Sequence, residues 1–343
     1  MPLMRVHVMG GALLASLFAL SVEAAQAQGY FKGKTVTIDV AGTAGGGIDI
    51  GARQLAPLLA KYLPGNPTVI VQEMPGSGGI RALEYLAGPA PKDGTTLGAF
   101  ASGPILDPIL KPHRIPYRIG DFTAIGALDK DNSVCTTWYT SPVKTLEQAR
   151  ERTVTVAGTG AGSDTDTQPV VLNDVLGTKF KVITGYLGTQ ETALAVERGE
   201  VDGRCGFGLN SIRASEPDWL KDHKLNLLVQ MGLESNPAAP NVPLALNLAD
   251  TPAKKAMIRL MSSPEAISHP YLAPPHMPPA IVAELRKAFT AAVSDPVFLA
   301  QFAKTSGGGE PHPTDGVKMQ KILAAMQATP KPVVARLRAL LNR

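Results

Sequence analysis

The chain has 343 residues but only two cysteines, Cys135 and Cys205, and six histidines. His7, His113, His223, His269, His276 and His312 stand far apart with no ligand spacing, so neither a metal centre nor a bound metal is expected. Aromatic residues are scarce at 5%, charged residues amount to 18%, and no basic block occurs, which argues against a nucleic-acid footprint or a base-stacking platform. No apolar run reaches the roughly 20 residues that a membrane-spanning helix needs. What is abundant is apolar residue (44%) with Gly 34 and Pro 29 in no three-residue period, the composition of a loop-rich globular chain. The length exceeds what one core usually serves, so two domains are expected. Lys+Arg 33 against Asp+Glu 29 leaves +4, a mild basicity that favours small anions only weakly.

The N-terminus reads as an export signal over 1–27. Arg5 gives the positive start, residues 8–22 form a short uncharged apolar run, and Ala25-Gln26-Ala27 supplies the small-x-small cleavage pattern. Export to an oxidising compartment permits one disulfide, Cys135 with Cys205. Two buried thiols remain the alternative, because free cysteine is itself a buried residue type.

Along the mature chain, β-branched alternation at 35–40 predicts a strand, followed by a glycine loop and a helix over 50–63. Strands at 69–71 and 96–100 enclose a second loop (75–79) and a helix near 80–86. The pattern restarts with strands at 133–139 and 154–156, a second glycine loop and a helix over 163–176. Further strands fall at 180–183, 201–205 and 225–230, with a helix over 189–197 between the first two. Beyond 250 the chain reads as helices over 252–261, 279–293, 296–304 and 316–341. The expected fold class is α/β, two lobes each with a mixed sheet flanked by helices and a ligand cleft between them. The late helices have no sheet of their own and are assigned to the first lobe. That gives 28–128 with 250–343 as lobe one and 129–249 as lobe two, with a hinge at the double crossing.

Both lobes carry a strand, a glycine loop and a helix start, at residues 40–47 and 157–163. Glycine lets the backbone approach a ligand closely, and the following helix offers unpaired N–H groups and a positive dipole end. Such a terminus holds a carboxylate or phosphate. Ser163 and Thr165 add hydroxyls that cap the helix or donate to an anion. A plain tight turn with an N-cap gives the same local pattern. No Gly-Lys-Ser/Thr follows either loop, and Ala161-Gly162-Ser163 breaks the dinucleotide spacing, so no nucleotide cofactor is expected. Ser77 lacks the G-x-S-x-G context of a nucleophile elbow. His113, His269 and His276 sit beside prolines and read as loop residues rather than bases. Asp164 and Asp166 read as first-turn acids complementing the helix dipole. Trp138, Tyr139 and Trp219 fit either a core or a lid.

Several segments in order resemble the Bug-type substrate-binding proteins of tripartite tricarboxylate transporters. They are Gly45-Gly46-Gly47-Ile48-Asp49 with Arg53, the stretch from Val71 to Gly79 (VQEMPGSGG), and Ala90-Pro91-Lys92-Asp93-Gly94-Thr95-Thr96-Leu97. Gly185-Tyr186-Leu187-Gly188, Gly199-Glu200-Val201-Asp202, Ala273-Pro274-Pro275 and Ser294-Asp295-Pro296 continue the series, which spans essentially the whole mature chain. The resemblance implies a periplasmic receptor, not an enzyme, that closes on a small carboxylic acid and delivers it to a membrane permease, working as a monomer without a cofactor. It places ligand contacts on Ala41, Gly45, Gly46, Gly47, Ile48 and Asp49, and on Ser77 and Ser102. In the second lobe it places them on Gly160, Ala161, Gly162, Ser163, Thr165, Tyr186 and Thr189. The chain departs from the family pattern at Ile48, which replaces a threonine, at Ala41-Gly42, which replaces a bulky aromatic, and at Gly206, where the family often has an aspartate. The last change puts an amino-acid ligand in question and leaves a di- or tricarboxylate or an aromatic acid open. An exported hydrolase using the same cleft, or a ligand-sensing accessory to a two-component kinase, are the competing readings.

Overall fold

The computed structural model describes residues 29–342 apart from 43, 46, 77–78, 112–116, 161–162 and 187–188. The export signal, Gly46, Ser77, His113, Ala161 and Gly162 therefore lie outside the described residues. The strands are β1 (Thr35–Val40), β2 (Thr68–Glu73), β3 (Thr96–Ala99), β4 (Thr123–Asp129), β5 (Ser133–Trp138), β6 (Val154–Gly158), β7 (Phe180–Thr184), β8 (Gly203–Gly208), β9 (Leu225–Met231), β10 (Ser268–Ala273) and β11 (Thr314–Asp315). They form two sheets, in the orders β11-β4-β10-β3-β1-β2 and β7-β6-β8-β5-β9.

In the first sheet β1 pairs in parallel with β2 and β3, while β10 runs antiparallel between β3 and β4. The alternating Val36, Ile38 and Val40 are fully buried on one face. There they meet Leu55 and Leu59 of the helix Gly47–Tyr62 and Leu285, Phe289 and Ala292 of the helix Pro279–Val293. Leu83 and Leu86 of the helix Ile80–Ala87 belong, with Phe100, to a second core. In the other sheet β6 pairs in parallel with β7 and β8, and β5 runs antiparallel to β8 and β9. Cys135 and Cys205 are bonded to each other across β5 and β8, with Cα atoms 3.9 Å apart and both residues fully buried. Trp219 packs edge-on to Trp138 and Phe207 and is 3% exposed, a core position, whereas Tyr139 is half exposed.

The structure adds three strands that the sequence pattern hides. β4 carries Gly126 at its centre, a residue that reads as a breaker; a Cβ there would lie 2.3 Å from the Phe289 ring, so only glycine admits the aromatic. β10 contains Pro270, whose carbonyl accepts the Phe100 N–H. β11 is two residues long. The single helix expected over 316–341 is two, Gly316–Gln327 and Lys331–Leu341, because Pro330 cannot sit in a helix interior and starts the second one.

The late helices do not all cover the first sheet. Pro279–Val293 and Gly316–Gln327 pack on β4, and Pro296–Thr305 on the helix Gly47–Tyr62. Pro252–Ser262 and Lys331–Leu341 instead pack on the helix Asp164–Leu176 of the second sheet's layer, and on each other. Their buried stripes (Met257, Leu260 and Met261; Val333, Val334 and Leu337) find there the apolar partners Leu172 and Val175.

One buried acid stands out. Asp39, in register with Gly98 on β3, is 4% exposed, and among the described residues its carboxyl has no hydrogen-bond partner. A Cβ on Gly98 would meet Phe100 at 2.5 Å and Leu86 at 3.2 Å, so the face shared by Asp39 is apolar. Burial pushes the Asp39 carboxyl up to about 6 from its ordinary 3.8. A raised carboxyl supports folding when protonated; that support is complete below the unfolded value and is lost as pH rises through the folded one. Asp39→Asn is expected to remove a stability loss of about 2–3 kcal/mol between about pH 4 and pH 8. Urea denaturation of both proteins across that range checks it, and parallel curves would contradict it.

Candidate functional site

The first glycine loop leaves β1 at Ala41, whose N–H donates to the Ala99 carbonyl at 2.9 Å. Gly45 has φ +78°, a left-handed conformation that glycine adopts without strain. Its N–H donates to Asp49 Oδ2 at 2.8 Å, and Arg53 Nε donates to the same oxygen at 3.0 Å. The other end of Arg53 pairs with Glu73 of β2. Burial alone would raise the Asp49 carboxyl, but the Gly45 N–H and Arg53 more than offset it and hold it below the ordinary range. Asp49, 2% exposed, thus ties the loop to its helix. Ile48 is half buried with its tip toward Gly42, and Gly47 opens the helix beside His269 Nε2.

The second loop repeats the device. Gly160 has φ +127°, and its N–H donates to Asp166 Oδ2 at 3.0 Å. Ser163 Oγ lies within hydrogen-bond reach of both the Gly160 carbonyl (2.7 Å) and Asp166 Oδ2 (2.9 Å). Thr165 Oγ1 accepts from the Thr159 N–H at 2.9 Å and lies 3.0 Å from Asp166 Oδ2. These donors outweigh burial and lower the Asp166 carboxyl. The hydroxyls of Ser163 and Thr165 are therefore engaged inside the loop. They neither cap a backbone N–H of the helix nor point out as free donors, because a carboxylate three residues into the helix is the stronger acceptor. A Cβ on Gly45 or Gly160 would meet nothing within 4 Å, which leaves the open side of each loop to the two glycines.

The remaining expected positions fall at turns and element ends. Ser102 precedes the short turn Gly103–Ile105 and is half buried. Tyr186 is half buried on the chain leaving β7; its N–H donates to the Gly158 carbonyl at 3.3 Å, and burial and then Glu200 raise its hydroxyl. Thr189 begins the helix Thr189–Glu197. Gly206, with φ +66°, packs where a Cβ would lie 2.7 Å from the Asp164 carbonyl carbon, so the start of the Asp164–Leu176 helix occupies the space a side chain would need.

Sequence reasoning missed the acids at the crossings between the sheets. Asp129 and Asp131 flank the first crossing, and Glu265 lies in the second. The Asp131 N–H donates to the Glu265 carbonyl at 2.9 Å, and Gln168 Nε2 reaches Ser133 Oγ at 2.7 Å and Glu265 Oε1 at 3.2 Å. Burial pushes Asp131 up to about 7. Glu265 is raised well above its ordinary value by burial, with Asp164 and Asp131 adding like charge. His269, half buried at φ +51°, is pushed down by burial despite Asp129. Among the described residues no group of three metal-ligating side chains occurs, and no helix is long and apolar enough to cross a membrane.

Two mixed sheets with helices on their faces, joined by paired crossings and each ending in a glycine loop at a helix start, define the two-lobed periplasmic binding protein fold. The family model described as the tripartite tricarboxylate transporter family receptor matches residues 51–338, and the chain belongs to that family. Solved structures of similar fold include a TctC solute-binding protein from Polaromonas (21% identity, TM-score 0.70, 90% of this chain and 98% of that one). MatC from Rhodopseudomonas palustris with bound malate matches at 22% identity and TM-score 0.56, over 90% of this chain and 98% of that one. A further R. palustris protein with adipate matches at 19% identity and TM-score 0.55, over 89% and 97%.

The hub role of Asp166 is testable. Asp166→Ala removes an acceptor shared by one N–H and two hydroxyls and is expected to cost about 2 kcal/mol at neutral pH. Because the folded carboxyl is lowered, that contribution is present above the ordinary value of 3.8 and disappears on further acidification. Denaturation at neutral and acidic pH reads both effects; an equal gap at both would contradict a charge-based role.

Proposed function

We propose that this chain is an exported solute receptor that captures a small di- or tricarboxylic acid, or an aromatic acid, between its lobes and hands it to a tripartite tricarboxylate-type permease. The single observation that carries the reading is the family match over residues 51–338. The malate and adipate bound by two proteins of the same fold favour a carboxylate ligand. The paired loops supply what such a ligand needs: backbone N–H groups at two helix starts, with the open side kept clear by Gly45 and Gly160. Gly46, Gly47, Ile48, Ser77, Ser102, Ala161, Gly162, Tyr186 and Thr189 would complete the contacts, while Ala41, Asp49, Ser163 and Thr165 hold the loops in shape.

In this reading 1–27 is removed on export, the protein works as a monomer in the periplasm, and it carries out no chemistry on the ligand. Lobe one is 28–128 with most of 250–343, lobe two is 129–249, and the two crossings serve as hinges. A ligand touching both lobes favours the closed state by its greater affinity for that state.

A thermal-shift screen of the mature protein against citrate, malate, succinate, adipate, aromatic dicarboxylates and nicotinate tests it. A true ligand at about 100 times its dissociation constant adds about 2.7 kcal/mol, a shift of several degrees, and is recovered unchanged. Gly160→Val is expected to abolish the shift while the circular-dichroism spectrum of the free protein stays the same. No shift with any acid would overturn the carboxylate reading, and a chemically altered acid would point to a hydrolase.

A further inference from the structure

Where the second crossing enters β10, the chain carries His269 in a left-handed conformation. A residue other than glycine takes that conformation at some cost, and such positions gather at functional sites. Pro270 follows, and its carbonyl accepts the Phe100 N–H at 3.1 Å, which sets His269 beside the end of β3, two residues before Ser102. The imidazole reaches the first glycine loop. Its Nε2 lies 3.9 Å from where a Cβ on Gly47 would stand, at the first residue of the helix Gly47–Tyr62. The charged neighbour of the ring is Asp129, whose two oxygens accept the His312 N–H at 2.8 Å and the Asn210 side-chain amide at 3.0 Å. Asn210 belongs to the helix Leu209–Ser215, which follows β8 of the second sheet. His269 therefore stands at the seam between the two sheets' layers, beside a loop start.

The ring has hydrogen-bonding capacity to spare. Among the described residues it makes no hydrogen bond, and neither ring nitrogen is sealed from solvent. Burial lowers its proton affinity more than Asp129 raises it, so the imidazole is held toward the neutral form, which donates through one nitrogen. Asp129 already has its own donors. Ile48, the residue after Gly47, has no donor in its side chain.

We propose that His269 Nε2 donates a hydrogen bond to the ligand carboxylate at the start of the helix Gly47–Tyr62, as a side-chain contact linking the first glycine loop to the second crossing. The inference rests on the receptor reading above, which puts a carboxylic acid against that loop.

Isothermal titration of the mature protein with the acids of the thermal-shift screen, malate, adipate and citrate among them, tests it with His269→Asn and His269→Gln. Asparagine tolerates the left-handed backbone but is too short to put a donor at the Nε2 position, which glutamine reaches. His269→Asn is expected to weaken the tightest acid about tenfold, and His269→Gln to stay within about threefold of the wild type. A second readout follows the ring itself by nuclear magnetic resonance of isotope-labelled imidazole nitrogens. The signal that His269→Asn removes is expected to move on saturation with that acid, while those of the exposed His223 and His276 stay in place. Wild-type affinity in His269→Asn, or an unmoved His269 signal while the acid binds, would overturn the assignment and leave the receptor reading standing. If the wild type binds none of the acids, both fail.

Discussion

The cleft depends on one arrangement made twice: a carboxylate in the first turns of a helix accepts the N–H of a left-handed glycine in the loop before it. Gly45 bonds to Asp49 and Gly160 to Asp166. A glycine-rich loop loses more conformational entropy on ordering than any other segment, and an internal charge-assisted acceptor offsets part of that loss. The surroundings strengthen each acceptor differently. Arg53 and Glu73 extend the first into an ion-pair chain reaching β2, whereas Thr159, Ser163 and Thr165 surround the second with hydroxyls. Gly45 and Gly160 are thereby each tied to the helix that follows them.

The joint between the lobes has the opposite electrostatics. Asp131 and Glu265 meet where the chain crosses, each pushed upward by burial and, for Glu265, also by the like charges of Asp164 and Asp131. Gln168 and Ser133 knit the start of the Asp164–Leu176 helix to both crossings. The helices Pro252–Ser262 and Lys331–Leu341 add apolar contact to the same helix. The second glycine loop is thus built onto the element that meets the crossings.

Much of this was legible because the strands obey period two and the helices have clear stops. The strand at 35–40, the glycine loops and the helix bounds 189–197 and 279–293 all followed from β-branched alternation, glycine and proline punctuation and 3.6-residue spacing. β4 and β10 were hidden because Gly126 and Pro270 act locally as breakers, and their reasons are tertiary: an aromatic ring above Gly126, and the pairing of β10 with two neighbours. The engagement of the Ser163 and Thr165 hydroxyls by Asp166 has no local sign in the sequence. The acids of the crossings come from segments far apart in sequence, and no spacing rule brings Asp131 to Glu265.

Amide hydrogen exchange on the free mature protein, resolved at the glycine loops, tests most directly whether the loops are held by their own carboxylates. The account predicts that Gly45 and Gly160 exchange slowly without ligand, and that Asp49→Ala and Asp166→Ala each deprotect their own loop while leaving the other unchanged. Fast exchange of both amides in the free wild type, slowing only when a carboxylic acid is added, would contradict it.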